Sequence, residues 1–273
     1  MNKTVRPPAV AGMFYPGNPT ALARQVDDFL AAAPQHSPDS PTPTALLVPH
    51  AGYVYSGSTA AFGYAQWRWA SLKHIVVLGP THRVGIEAIA LPDADALATP
   101  LGEVPMWAEG ASAVRQLPYV VVSARVHAEE HSLEVQLPFL QRLFGQGFDV
   151  LPLAVGWVGH QEVADAMETV WDSPDIGIVI SSDLSHYHSY SQAQAIDRAT
   201  LGQVMALDPS IDHNQACGAT GLDAMLVQAR RHGLRPSLLD ARNSGDTAGD
   251  KNRVVGYGSV AFYPPAPDQG QTP

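Results

Sequence analysis

The chain has 273 residues, 45% of them hydrophobic, with a formal net charge of -10 and a single cysteine. That length buries a sizeable core, and the acidic balance without a basic cluster argues against nucleic acid and anionic membrane as partners. One cysteine excludes an internal disulfide framework and a cysteine-rich zinc site. No apolar run reaches the ~20 residues that span a bilayer, and no basic segment followed by an apolar one opens the chain, so a cytoplasmic location is expected.

Residues 5–19 are rich in Pro and Gly and read as extended chain, and Asn18-Pro19-Thr20 opens a helix through Leu30. The Pro/Ser-rich stretch 34–43 reads as a surface loop. A strand at 45–48, a helical stretch at 56–70 and a strand at 75–78 follow. Short strands are expected at 86–91, 99–104 and 119–123. Residues 129–144 show helical periodicity with a kink or break near Pro138. Strand 149–155, helix 161–170, strand 176–180, helix 192–207, helix 217–231, strand 235–241 and strand 254–263 complete the pattern. The alternation predicts an α/β fold, with a mixed, mainly parallel sheet flanked by helices in one domain over 1–265 and a flexible tail at 266–273.

Four polar motifs follow directly on apolar strands. Residues 45–48 run into Pro49-His50-Ala51-Gly52-Tyr53, and 75–78 into Gly79-Pro80-Thr81-His82. Residues 176–180 run into Ser181-Ser182-Asp183-Leu184-Ser185-His186, and Leu238-Leu239 leads to Asn243-Ser244-Gly245-Asp246. Open α/β sheets bind ligands outside the carboxyl ends of their strands, so these motifs outline a metal site. His50 and His82 are candidate ligands, because neutral imidazole is the commonest nitrogen donor to iron, zinc and copper. Asp246 completes the set, with Asp183, Glu134 or water as alternatives. Two His plus one carboxylate fit both non-haem Fe(II) oxygenases and catalytic zinc.

Asp183 and His186 are the candidate catalytic pair. If Leu184 starts a helical turn, Asp183 caps it and His186 faces the pocket as general acid or base. His131 and Glu134, one turn apart if helical, are read as a second layer around the site or a solvated pair. Cys217, before an apolar helix, is read as core. Nucleotide binding finds no support, because neither GxGxxG nor GxxxxGK[ST] occurs between a strand and a helix.

These motifs, with Glu130-His131-Ser132-Leu133-Glu134, Val254-Val255-Gly256-Tyr257 and the N-terminal Arg6-Pro7-Pro8-Ala9-Val10-Ala11-Gly12-Met13-Phe14-Tyr15-Pro16, resemble the Memo family, also called AmmeMemoRadiSam system protein B. The match runs in order along nearly the whole chain. The resemblance implies a fold like the catalytic subunit of class III extradiol ring-cleavage dioxygenases. It also implies a divalent metal held by His50, His82 and a third ligand nearer the C-terminus, with His186 as acid/base. In the animal protein that third ligand is a cysteine; here Asp246 is the residue assigned to the segment. The implied cofactor is Fe(II), with copper or zinc as alternatives, and the implied activity is a dioxygenase-like oxidation of a small molecule. A metal-assisted hydrolase or lyase, or a peptide-binding module using the same pocket, are the competing readings. Radical-SAM and AMMECR-type companion proteins are the partners the family implies.

Overall fold

A computed structural model describes residues 3–34, 36–173 and 175–265, so the tail expected at 266–273 lies outside the described residues. In chain order the first elements are β1 (Val5–Arg6), α1 (Pro19–Ala32), β2 (Ala45–Val48), α2 (Tyr53–Tyr64), β3 (His74–Pro80), β4 (Ile89–Leu91), β5 (Ala96–Thr99), β6 (Gly102–Pro105), α3 (Ala108–Val114), β7 (Val120–Val122) and α4 (Ala124–Ala128). The second half adds α5 (Leu137–Phe144), β8 (Asp149–Val155), α6 (His160–Trp171), β9 (Ile176–Ser181), β10 (His186–His188), α7 (Tyr190–Met205), α8 (Ala219–Arg231), β11 (Arg235–Asn243), α9 (Ser244–Thr247) and β12 (Val254–Tyr263). This is the single-domain α/β architecture that the sequence predicts, with helices packed on a mixed sheet.

The centre of the large sheet is the parallel run β2-β9-β3-β8. Its strands are dominated by Val, Ile, Leu and Ala because both faces are covered. In β2, Ala45 and Leu47 enter one hydrophobic cluster with residues of α6 and α8, while Leu46 and Val48 enter another with residues of α1, α2 and α5. β12 is antiparallel to β2, and β11 is antiparallel to β12, so β11 runs in the same direction as β2. At the other side β4 is antiparallel to β8 and pairs in parallel with β7. A second sheet, β1-β5-β6, holds the N-terminal strand. The carboxyl ends of β2, β3, β8, β9 and β11 therefore share one edge of the molecule.

Three local expectations need correction. Residues 129–144 break near Pro138, one of the two outcomes expected there, but their first part is not helical: α4 ends at Ala128, a loop follows, Glu134–Gln136 is a 3-10 turn, and α5 carries Pro138 in its first turn. Proline lacks the amide and clashes in a helix interior but fits the first turn, so it starts a helix here instead of kinking one. Residues 183–188 form no helical turn. Leu184 N–H donates to Gly256 C=O (2.8 Å), Gly256 N–H donates to Ser185 C=O (2.8 Å), and β10 follows. The strand expected at 99–104 is a hairpin, with β5 and β6 antiparallel about Pro100 and Leu101.

Candidate metal centre

His50 leaves the end of β2 and is buried. Its backbone N–H donates to Asp183 Oδ1 (2.8 Å), and Ala51 N–H donates to the same oxygen (3.3 Å). Asp183 thus fixes the turn that presents His50 and caps no helix. Burial raises the Asp183 carboxyl above the usual range. The His50 ring places Nδ1 2.9 Å from Ser181 Oγ. That hydroxyl spends its proton on the Ser132 carbonyl (2.6 Å) and accepts from Gln136 Nε2 (2.8 Å). The bond to His50 must then run from Nδ1–H to the serine oxygen, which leaves Nε2 as a bare lone pair.

His82 follows β3. Its Nδ1 lies 2.9 Å from Glu130 Oε1, and its backbone N–H donates to Oε2 (2.5 Å). The backbone N–H groups of His131 (2.9 Å) and Ser132 (3.0 Å) also donate to this buried carboxylate. Burial pushes Glu130 up, but its hydrogen bonds and the neighbouring His82 hold it well below the usual carboxylate range. A carboxylate behind an imidazole fixes the ring and turns the other nitrogen outward.

His131 joins them. Each of His50, His82 and His131 offers a ring nitrogen, and these lie within 4.8 Å of one another. The His131 ring is 4.5 Å from His82 and 5.4 Å from His50, centroid to centroid. Its Nδ1 is buried without a hydrogen-bond partner among the described residues. Burial first, then the neighbouring imidazoles, push His50 well below its ordinary pKa, and burial with His82 pushes His131 down to about 4. Burial disfavours charge on His50 and His131, and three ring nitrogens this close together with a carboxylate behind them suit a divalent cation. The three histidines can hold a divalent metal.

The chain's single cysteine is also here. Cys217 Sγ stands 3.3 Å from His50 Nε2 and 3.6 Å from the Asp183 carbonyl oxygen. Burial, reinforced by Asp183, pushes its thiol up to about 12. Cys217 also lines a cavity of about 370 Å³ with Thr81, Trp157, Glu162, His213 and Thr220. Burial of the Cys217 thiol agrees with its place before an apolar helix, but the sulfur also stands beside the imidazole of His50.

His186 sits on β10, within electrostatic reach of both Asp183 and His50. Next to it Tyr187 has φ of 61°, a left-handed conformation that costs a bulky residue energy, and its ring is 5.7 Å from that of His186. Asp246 is elsewhere. It occupies the third position of α9, where Oδ2 accepts from Asn243 N–H (3.0 Å) and Oδ1 from Tyr190 OH (2.5 Å). It lines a separate cavity of about 420 Å³ between α7 and β11. Glu134, another candidate, is bound to the N-terminal segment. Among the described residues the donors that lie close enough together to share an ion are His50, His82 and His131.

This arrangement, loops at the carboxyl edge of a parallel sheet converging on imidazoles, coincides with a family match. A model of Memo-like proteins matches residues 6–261. The chain belongs to the Memo family. It is 33% identical to a MEMO1 family protein of Sulfolobus acidocaldarius, over 94% of this chain and 99% of the relative. A MEMO1 family protein of Thermoplasma volcanium is 34% identical over 94% of this chain and 97% of its own length. One from Aquifex aeolicus is 35% identical over 94% and 99%. The matched span includes all three histidines, Cys217 and the N-terminal segment. No described helix is long and apolar enough to cross a membrane.

Proposed function

We propose that this Memo-family protein is a metal-dependent enzyme that oxidises a small molecule, with Fe(II) as its metal. The carrying observation is the set of three imidazole nitrogens within 4.8 Å, two of them oriented by Ser181 and Glu130. His50, His82 and His131 would hold the ion, and Cys217 offers a soft sulfur donor beside His50. Fe(II) there would supply a redox-active centre with positions open to small molecules.

The chain's own residues supply the rest. The cavity beside Cys217 and Trp157, about 370 Å³, is of the size that small substrates occupy. His186 is the candidate acid or base beside the site, because Asp183 is committed to the His50 turn. Glu130 keeps His82 in the tautomer with an outward lone pair.

A second reading has its own support. A donor set of three histidines without a carboxylate is also that of catalytic zinc in some hydrolytic and hydrating enzymes. The two are separated by loading the metal-free protein with Fe(II) or Zn(II) without oxygen. Oxygen uptake with a panel of catechols, by the iron form only, supports the first reading, and His186→Ala should abolish it while iron stays bound. Hydrolysis of small esters by the zinc form, without oxygen uptake by the iron form, selects the second. Inactivity of both forms leaves ligand binding as the role of the pocket.

A further inference from the structure

The N-terminal segment 6–15 is bonded to the loop that carries His131 more heavily than its length requires. Arg6 is buried. Its Nε and Nη2 donate to the His127 carbonyl (3.0 and 2.9 Å), Nη2 donates to the Glu130 carbonyl (2.6 Å), and Nη1 pairs with Glu134. The Glu134 carboxylate also accepts from Ala9 N–H (2.7 Å), Val10 N–H (3.0 Å) and Tyr15 OH. Arg6 and Glu134 thus grip the main chain on both sides of Glu130 and His131.

Stability alone does not account for such a pair, because burying two charges costs about what their attraction returns. Directional bonds to carbonyls and amides fix geometry instead. What they fix becomes visible at Phe14. Its carbonyl accepts from Tyr53 N–H (2.7 Å), three residues after His50, and its ring lies 4.5 Å from the ring of His131. The segment therefore ties the His50 loop to the His131 loop.

The three histidines differ in how they are oriented. His50 has Ser181 and His82 has Glu130, each through Nδ1. His131 Nδ1 makes no hydrogen bond, although Glu130 Oε1 stands 3.3 Å from it, and its ring packs against Phe14 and His82. We propose that Phe14 is the positioning residue of His131, and that the Arg6–Glu134 pair clamps both in register, so that the N-terminal segment governs the affinity of the centre without touching the ion. This rests on the metal-centre reading.

Cobalt(II) titration of the metal-free full-length chain tests it, with the dissociation constant and the visible spectrum as readouts. Phe14→Leu keeps apolar volume but removes the aromatic face. It should bind Co(II) about 10- to 100-fold more weakly, the usual effect of losing a ligand's supporting partner, with a changed spectrum and an unfolding midpoint close to wild type. Phe14→Tyr should restore wild-type affinity. The double variant Arg6→Met/Glu134→Met replaces the buried pair with apolar volume and should weaken binding likewise, whether or not Phe14→Leu folds. Wild-type affinity and spectrum in both Phe14→Leu and the double variant, with binding still dependent on His50 and His82, overturn the proposal alone. A wild-type protein that takes up no Co(II) overturns the metal-centre reading and this proposal with it.

Discussion

His50 Nε2 and Cys217 Sγ, 167 positions apart in the chain, meet at 3.3 Å. The contact is made because β2 ends beside β9, and the residues after β9 bond to the turn before α8. Cys217 N–H donates to the Asp183 carbonyl (3.2 Å), and Asp183 in turn holds His50. One buried carboxylate residue therefore sets the separation of the imidazole and the sulfur.

The thiol should be inert until a metal arrives. With its pKa pushed up to about 12, Cys217 in the metal-free folded protein should react with iodoacetamide at pH 8 at least ~100-fold more slowly than in the unfolded chain, since the thiolate is the nucleophile. Co(II) loading of wild type should add a near-ultraviolet sulfur-to-metal band absent from Cys217→Ser. Rapid alkylation of the metal-free protein would contradict the raised thiol pKa, and identical spectra for the two loaded forms would remove sulfur from the centre.

Glu130 supports two of the three histidines at once. Glu130→Gln replaces an acceptor of four N–H groups with a side chain half of which is itself a donor. Mispairing at this buried position should cost on the order of 3 kcal/mol in urea unfolding. Metal affinity should fall about 10- to 100-fold. Unchanged stability and unchanged affinity would show that the carboxylate is a bystander.

Acid should destabilise the fold through His127, which lies outside the three-histidine cluster. Burial lowers its pKa to about 4, and its Nε2–H donates to the Ala90 carbonyl (2.8 Å). The unfolded chain takes up the proton below pH 6.5 and the folded protein only near 4, so stability is whole above 6.5 and falls as pH drops toward 4. Between pH 7 and pH 5 wild type should lose about 2 kcal/mol more than His127→Gln, measured by urea unfolding at both values. Parallel losses in the two proteins would refute the assignment.

His50 and His82 were legible in the sequence because an apolar strand running into a polar motif fixes both the strand and the edge at which the motif emerges. Asp183 and His186 were placed near the site by the same logic, although a loop and a short strand replace the expected helical turn. His131 was obscured by the helical periodicity of 129–144, and reading Pro138 as a helix start would have freed 129–133 as a loop. Asp246 shows the converse. Asn243 and Asp246 have the spacing of a capping box, and a carboxylate that caps a helix is indistinguishable in sequence from one that holds a metal. The approach of Cys217 to His50 depends on tertiary packing across 167 residues, which no local pattern encodes.

The most direct test is elemental analysis of protein purified without oxygen and supplied with Fe(II), comparing wild type with His50→Ala, His82→Ala, His131→Ala and Asp246→Ala. Near-stoichiometric metal in wild type and Asp246→Ala, with loss in each histidine variant, is the predicted result. Metal retained by all three histidine variants, or lost with Asp246 while His131→Ala keeps it, would contradict the three-histidine centre.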